Sequence, residues 1–349
     1  MMEFGAVPLE RALGGILAHS EPLGRGAKLR KGVVLAPGDI AKLKAAGLTE
    51  VVVARLGPGD CDENQAATEL AAALVPDPAS ANIRIARATT GRVNLYASKP
   101  GVVVLDSAAI HAVNRVDPMI TFATPRPFRR VDQDALIGTI KIISYGVARA
   151  DLERAKTAAQ GAIRLQPAGR RTASLILSQV PGAPQDPAGK GPRAVGDRLR
   201  ALGATLTDTV VVGHDEGELA RAMAQAKGEV ILILTASATS DIRDTAPAAL
   251  RQAGGEITRF GMPVDPGNLL FLGALGARPV IGLPGCARSP ALNGADWVIE
   301  RVICGIDLTD DEITAMGLGG LLKESPARPH PRETGQSVAR QGRATNPPR

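Results

Sequence analysis

The sequence predicts an α/β protein whose main body is a parallel-rich, three-layer sheet, preceded by a smaller β-rich region. Three observations carry this. In the second half, short continuous apolar runs recur at 173–178 (ASLILS), 208–213 (DTVVVG), 229–235 (EVILILT) and 278–283 (RPVIGL). Helical segments fall between them, at 194–204, 216–226 and 246–254, and strands alternating with helices call for a parallel sheet buried on both faces. Between 81 and 147 the texture differs, with β-type runs separated by Pro and Gly.

Along the chain, residues 7–19 (VPLERALGGILAH) carry a short helical pattern interrupted by Gly14 and Gly15. Residues 29–56 then alternate strand, turn, helix and strand. Pro37-Gly38-Asp39 is a turn with Asp39 placed as an N-cap, Gly47 ends the helix, and Glu50 to Arg55 is a strand. An amphipathic helix is expected over 62–75, with acids at its start. The β-rich stretch follows, linked onward by a helix at about 148–160. NGADWVIERVICGI is a further helix, and the Pro/Arg-rich end is expected to be a disordered tail. The expected domains are 1–80, 81–165, 166–324 and the tail 325–349.

Composition narrows the function. With 44% hydrophobic residues but only 2% aromatic, the core must be built from Ala, Val, Leu and Ile. The net charge of +6 is modest and no Lys/Arg run is interleaved with aromatics, so nucleic acid is not an expected partner while small anionic ligands are. Cys61, Cys286 and Cys304 lack metal or disulfide spacing, and no secretory signal or span of ~18 apolar residues is evident. A cytoplasmic protein is the expectation.

Ligands of open parallel sheets bind beyond the carboxyl ends of the strands. The loops there are 178–193, rich in Gly and Pro with Lys190 and Arg193; His214-Asp215-Glu216; Thr235 to Asp244; and Gly282 to Pro290, GLPGCARSP. Small hydroxyls and backbone N–H groups at such places cradle oxyanions. Asp241 and Asp244, three apart at a helix start, are placed to hold a metal or a polar ligand; the alternative is that Ser240 or Asp241 simply caps the helix. His214 has no neighbouring Cys or His, and is read as a loop residue or a partner for Asp215. Cys286 has no His fixed near it, and is read as a small packed residue.

The run GGEITRFGMPVDPGNLLFLGALGARPVIGLPGCARSPALNGADW (254–297) resembles the molybdopterin-binding domain of the molybdopterin molybdenumtransferase (molybdenum insertase) family. The variant PVDPGN…GLPGCARSP…NGADWV followed by MGLGGLL is similar to a bacterial subgroup sometimes fused to a cofactor nucleotidyltransferase. TASATSDIRD stands in the place of that family's Thr-Gly-Gly-x-Ser-x-Gly-x-x-Asp loop. There Thr235 stands for the Thr, Ala236 and Ser237 for the glycine pair, Thr239 for the Ser and Asp244 for the Asp.

The resemblance implies a molybdopterin-binding fold and molybdopterin or its nucleotide form as ligand, with Mg²⁺ and molybdate. It also implies a homo-oligomer, and a nucleotidyltransferase or molybdoenzyme as partner. Asp241 and Asp244 would position metal or molybdate, with Asp244 as metal ligand. Ser237 and Thr239 would hold the phosphate. Thr235, Ser240, Asp215, Pro266, Gly267, Asn268, Gly282, Pro284, Gly285, Arg288 and Ser289 would complete the binding site. The family's lysines around its Pro-Gly turn are replaced here by Asp265 and Asn268, for which Arg243, Arg288 or Lys190 would have to compensate. Molybdate insertion, a non-catalytic pterin carrier and a nucleotide pyrophosphatase on the same fold remain the alternatives.

Overall fold

A computed structural model describes residues 2–24 and 26–322; the expected tail lies outside them. The chain divides into two compact units, Met1–Gly169 with 201–203 and 303–305, and the remainder.

The first unit opens with β1 (Glu3–Pro8), β2 (Ile16–Leu17), the β3–β4 hairpin (Glu21–Gly24, Ala27–Leu29), α1 (Pro37–Ala45) and β5 (Glu50–Arg55). β1 and β2 both pair antiparallel with β5. The helix expected over 7–19 is therefore strand, a single 3-10 turn at Leu9–Arg11, and strand. The pattern there is helical only locally; Gly14 and Gly15 break it, and β5 satisfies the backbone groups from a distance. Leu9, Leu17, Leu35, Leu43, Val51 and Val53 form the core beneath. Asp39 is not the N-cap of α1. Ala36 is, and Asp39 sits three residues on, reaching back so that its carboxylate accepts the Ala36 N–H at 3.3 Å.

The unit continues with β6 (Asp60–Asp62), α2 (Glu63–Leu74), β7 (Ile83–Ile85), β8 (Arg92–Ala97), β9 (Gly101–Leu105) and α3 (Ser107–Val116). Then follow β10 (Ile120–Ala123), β11 (Arg130–Val131), β12 (Leu136–Ile142), β13 (Gly146–Ala148), α4 (Arg149–Ala159) and β14 (Ile163–Pro167). One sheet runs β10-β12-β8-β7 and another β11-β9-β14. Leu70 and Leu74 of α2, Val113 of α3 and Leu152 of α4 share one core with Ile140 and Leu165. The β-rich stretch thus contains a helix, α3, which its β-branched neighbours mask in sequence.

Across α2 and α4, Glu69 accepts from Arg149 at 2.8 and 2.9 Å and from Lys156 at 3.0 Å. The Arg149 hydrogen bonds above all hold its pKa down from 4.5 to about 2. A depressed carboxylate stabilises the fold above its unfolded pKa, and that stabilisation fades as pH falls from about 4.5 towards 2. Denaturant titrations should show stability declining through this window in the wild type and a shallower decline in Glu69→Gln.

The second unit contains β15 (Thr172–Gln179), α5 (Lys190–Arg200), β16 (Thr205–Gly213), α6 (Glu216–Gln225), β17 (Val230–Leu234) and α7 (Thr245–Gln252). β18 (Glu256–Phe260), β19 (Phe271–Leu275), β20 (Arg278–Gly282), α8 (Gly294–Ile303) and α9 (Asp310–Ala315) complete it. The sheet order is β16-β15-β17-β20-β19-β18. The first four strands are mutually parallel, while β19 is antiparallel to both its neighbours. The predicted α/β class with a parallel-rich sheet is borne out.

Parallel crossovers are right-handed. The path β15-α5-β16 steps one way along the sheet and β16-α6-β17 steps back, so α5 and α6 lie on opposite faces. Ile231 and Ile233 pack with Leu219, Met223 and Leu250 of α6 and α7. Alternation turns the equally buried Leu232 and Leu234 to the other face. That reversal makes the carboxyl end of β15 a switch point, where a crevice is expected. No helix among the described residues is long and apolar enough to cross a membrane.

Candidate functional site

Because β15, β16, β17 and β20 are parallel, their trailing loops share one sheet edge. The loop 261–270 joins them: Phe271, first in β19, pairs with Gly282, last in β20. Five loops therefore meet where the sequence pointed to four by strand ends alone.

Hydrogen bonds stitch these loops together. Ser178, at the end of β15, is fully buried; its Oγ accepts the Ala236 N–H at 2.9 Å and lies 2.9 Å from Nδ1 of His214. Nε2 of the same imidazole is 3.2 Å from Ser237 Oγ, which is exposed. Thr235 Oγ1 donates to the Ser237 carbonyl at 2.6 Å and lies 3.4 Å from the buried Thr239 hydroxyl. Arg288, from the GLPGCARSP loop, donates to the Thr235 carbonyl at 2.8 Å and to Gln185 Oε1 at 2.9 Å. Its stem runs against Gly191 at the start of α5, where a Cβ would stand 3.4 Å from Cγ of Arg288.

Arg288 is the electrostatic centre of this arrangement. It is half-buried, has no carboxylate partner among the described residues, and burial pulls its pKa below the ordinary guanidinium value. A desolvated cation bonded only to neutral oxygens favours an anion brought from outside. Cys286 is also half-buried, and burial pushes its thiol pKa up, in keeping with a packed thiol.

The expected acids are placed differently. Asp244, rather than Ser240 or Asp241, is the N-cap of α7: one oxygen accepts the Thr245 N–H at 2.8 Å and the other the Ser240 N–H at 3.1 Å. Asp241 is exposed and forks with Arg243 at 2.8 and 3.1 Å, which holds its pKa down to about 2. Asp215 caps α6 through the Glu218 N–H at 3.0 Å. All four oxygens of Asp241 and Asp244 thus already accept hydrogen bonds. Among the described residues no group of three or more His, Cys, Asp or Glu is arranged for a metal.

The remaining loop residues mostly shape the edge. A Cβ on Gly282 would stand 1.9 Å from the Phe271 ring, and one on Gly267 2.4 Å from the Gly294 nitrogen. Both are close packing against the protein's own atoms. Gly285, by contrast, faces open space, and Pro284 is the buried residue that starts the 3-10 turn Gly285–Arg288. The carbonyl of Pro266 accepts from Gly294 and that of Asn268 from Met262, while the Asn268 residue itself is exposed. Ser289 Oγ accepts the Ala291 N–H at 3.2 Å.

Sequence reasoning left His214 as a loop residue and did not single out Ser178 or Arg198, which the structure makes central. Ser178 had a usable signal, a hydroxyl closing the apolar run LILS, since a polar group buried in a central strand must find a partner. Arg198 donates through Nε to Asp296 at 2.7 Å and through its other nitrogens to the carbonyls of Ala287 at 2.9 Å and Ser289 at 2.7 Å. It holds the GLPGCARSP loop from beneath. A groove of about 540 Å³ lined by Asp208, Val212, Arg221 and Lys227 lies along the flank of β16 and α6, apart from these loops.

The fold and site together define a doubly wound α/β domain with a cluster of polar loops and a half-buried cation at its switch point. In comparisons with known proteins, a family described as a domain of unknown function (DUF8806) matches residues 6–55. No curated protein matches. Solved structures similar to this chain include the molybdopterin biosynthesis moeA protein from Pyrococcus horikosii, 14% identical over 81% of this chain and 70% of that one, with a TM-score of 0.27. A molybdenum cofactor biosynthesis protein from Pyrococcus furiosus is 14% identical over 82% of this chain and 59% of its own length, at 0.22. Molybdenum cofactor biosynthesis protein B is 14% identical over 40% of this chain and 96% of its own, at 0.29. At such scores function has to be argued from the site itself.

Proposed function

We propose that the chain binds molybdopterin, or its nucleotide form, at these strand-end loops and serves molybdenum cofactor biosynthesis. The observation that carries the reading is Arg288, a half-buried guanidinium without a carboxylate partner among the described residues, presented beside a loop of small hydroxyl residues. Such a cation suits the phosphate of a phosphorylated pterin and compensates for the lysines that Asp265 and Asn268 replace. The motif pair PVDPGN and GLPG, whose loops lie at the same edge, supports the choice of pterin among anionic ligands.

Within that reading a carrier is favoured over an insertase. Both oxygens of Asp244 accept backbone N–H groups and those of Asp241 accept from Arg243, so both acids have a structural role as capping and ion-pairing groups, and no catalytic step is assigned to them. Hand-over to a nucleotidyltransferase or molybdoenzyme, self-association and a cytoplasmic setting belong to the same proposal.

The test is direct. Purified protein is mixed anaerobically with molybdopterin, separated from free ligand, oxidised, and its pterin fluorescence measured. Bound pterin at micromolar protein is expected, and Arg288→Leu should weaken it about tenfold or more, as loss of a charge-assisted hydrogen bond implies. Absence of pterin after saturation sinks the reading, and wild-type affinity in Arg288→Leu sinks the role of the arginine. Molybdate-dependent nucleotide release from the adenylylated ligand would overturn the carrier in favour of the insertase.

A further inference from the structure

We propose that Ser178, His214 and Ser237 form a one-directional hydrogen-bond chain that makes the Ser237 hydroxyl a fixed donor to an oxyanion, not a nucleophile. This deepens the anion-binding reading of the site and does not depend on the anion belonging to a pterin.

The direction follows from counting donors and acceptors. A hydroxyl has one hydrogen to donate and two lone pairs. Ser178 is fully buried, and its Oγ meets only the Ala236 N–H and Nδ1 of His214 among the described residues. The amide can only donate, so the sole group able to accept the Ser178 hydrogen is Nδ1. A buried hydroxyl hydrogen left without an acceptor costs about 1–3 kcal/mol, which selects the arrangement in which Ser178 donates to Nδ1. Tautomers are assigned by this kind of network accounting, and it places the ring hydrogen on Nε2.

From there the chain runs outward. Nε2–H donates to Ser237 Oγ at 3.2 Å, leaving the Ser237 hydrogen directed to an acceptor beyond. Each link polarises the next in the same sense, which strengthens the terminal donor. The His214 backbone is itself anchored, its N–H donating to the Gln179 carbonyl at 2.8 Å. The alternative is an imidazole acting as base on Ser237, as in a nucleophilic hydrolase. That requires Nδ1 to carry the hydrogen and leaves the buried Ser178 hydroxyl hydrogen with no acceptor. Arg288 bonds the carbonyl of Thr235, two residues from Ser237. The guanidinium supplies the charge and the serine a directional donor for one oxygen of the same anion.

Uniformly ¹⁵N-labelled full-length protein tests this by long-range ¹H–¹⁵N correlation of its imidazoles. The His214 resonances are identified among the four histidines by their loss in His214→Gln. The expected pattern is an unprotonated Nδ1 with a protonated Nε2; a protonated Nδ1 overturns the proposal. Ser178→Ala should convert His214 to a mixture of tautomers, and an unchanged ring there also counts against it. Titration with inorganic phosphate should shift the Nε2 signal saturably, and exposed Ser237→Ala should weaken that binding about five- to tenfold. No phosphate-dependent shift in the wild type, or equal affinity in Ser237→Ala, refutes the donor role. Phosphate binding without pterin binding would sustain the chain and sink only the pterin.

Discussion

Arg198→Ala is expected to destabilise the second unit by about 3–5 kcal/mol, the usual result of stripping one partner from a buried ion pair. The side chain is only 9% exposed and its partner Asp296 12%. Beyond the 2.7 Å bond to Asp296, the guanidinium satisfies the carbonyls of Ala287 and Ser289. Removing it therefore leaves a carboxylate and several carbonyls, those of Ala287, Ser289 and Ala291 among them, short of a donor at once. Arg198→Lys should recover only part of the loss, because a point-like ammonium cannot serve the fork of acceptors that a planar guanidinium does. Replacing both partners, Arg198→Met with Asp296→Leu, should be milder than Arg198→Ala alone. Denaturant unfolding measures all three, and a loss under about 1 kcal/mol in Arg198→Ala contradicts this account. The same variant should also loosen Arg288, carried on the loop that Arg198 holds, and so weaken anion binding without touching the ligand.

Gly282→Ala is the second large effect. The added methyl would stand 1.9 Å from Cε1 and 2.1 Å from Cδ1 of Phe271, itself 1% exposed and paired with Gly282 across the β19–β20 ladder. Overpacking of a filled core typically costs about 1–3 kcal/mol, and here a rigid ring between two central strands has little room to yield. Phe271→Leu in the Gly282→Ala background should restore part of the stability. Gly285→Ala, three residues away in the same GLPG motif, places its methyl in open space and should stay within about 0.5 kcal/mol of wild type. Equal effects at the two glycines would refute the division. The contrast separates two jobs that the motif's spelling merges: Gly282 leaves room for Phe271, and Gly285 leaves the loop open.

Much of the second unit was legible in sequence because its strands are buried on both faces. Continuous apolar runs mark β15, β17 and β20, and the helices between them carry ordinary amphipathic spacing. The antiparallel pair β18–β19 was harder to see. β18 alternates towards solvent, and Gly273 interrupts β19 because a Cβ there would stand 2.2 Å from the Glu256 carbonyl. Yet that pair brings the Pro266–Asn268 loop to the site's edge. At the N-terminus, 7–19 carries a helical pattern and folds as strands because β5, some forty residues on, offers the pairing.

The sequence by itself determined the α/β class and the loops in which chemistry must lie, since burial periodicity and Gly/Pro punctuation are local properties of the chain. Which polar side chains meet was decided by tertiary structure. Ser178 reaches His214 across 36 residues, His214 reaches Ser237 across 23, and Arg288 reaches Thr235 across 53. Those meetings depend on strand order and register at one sheet edge, which no spacing encodes. The same register tied Asp241 and Asp244 to Arg243 and to backbone N–H groups, and left Arg288 half-buried against the Thr235 loop.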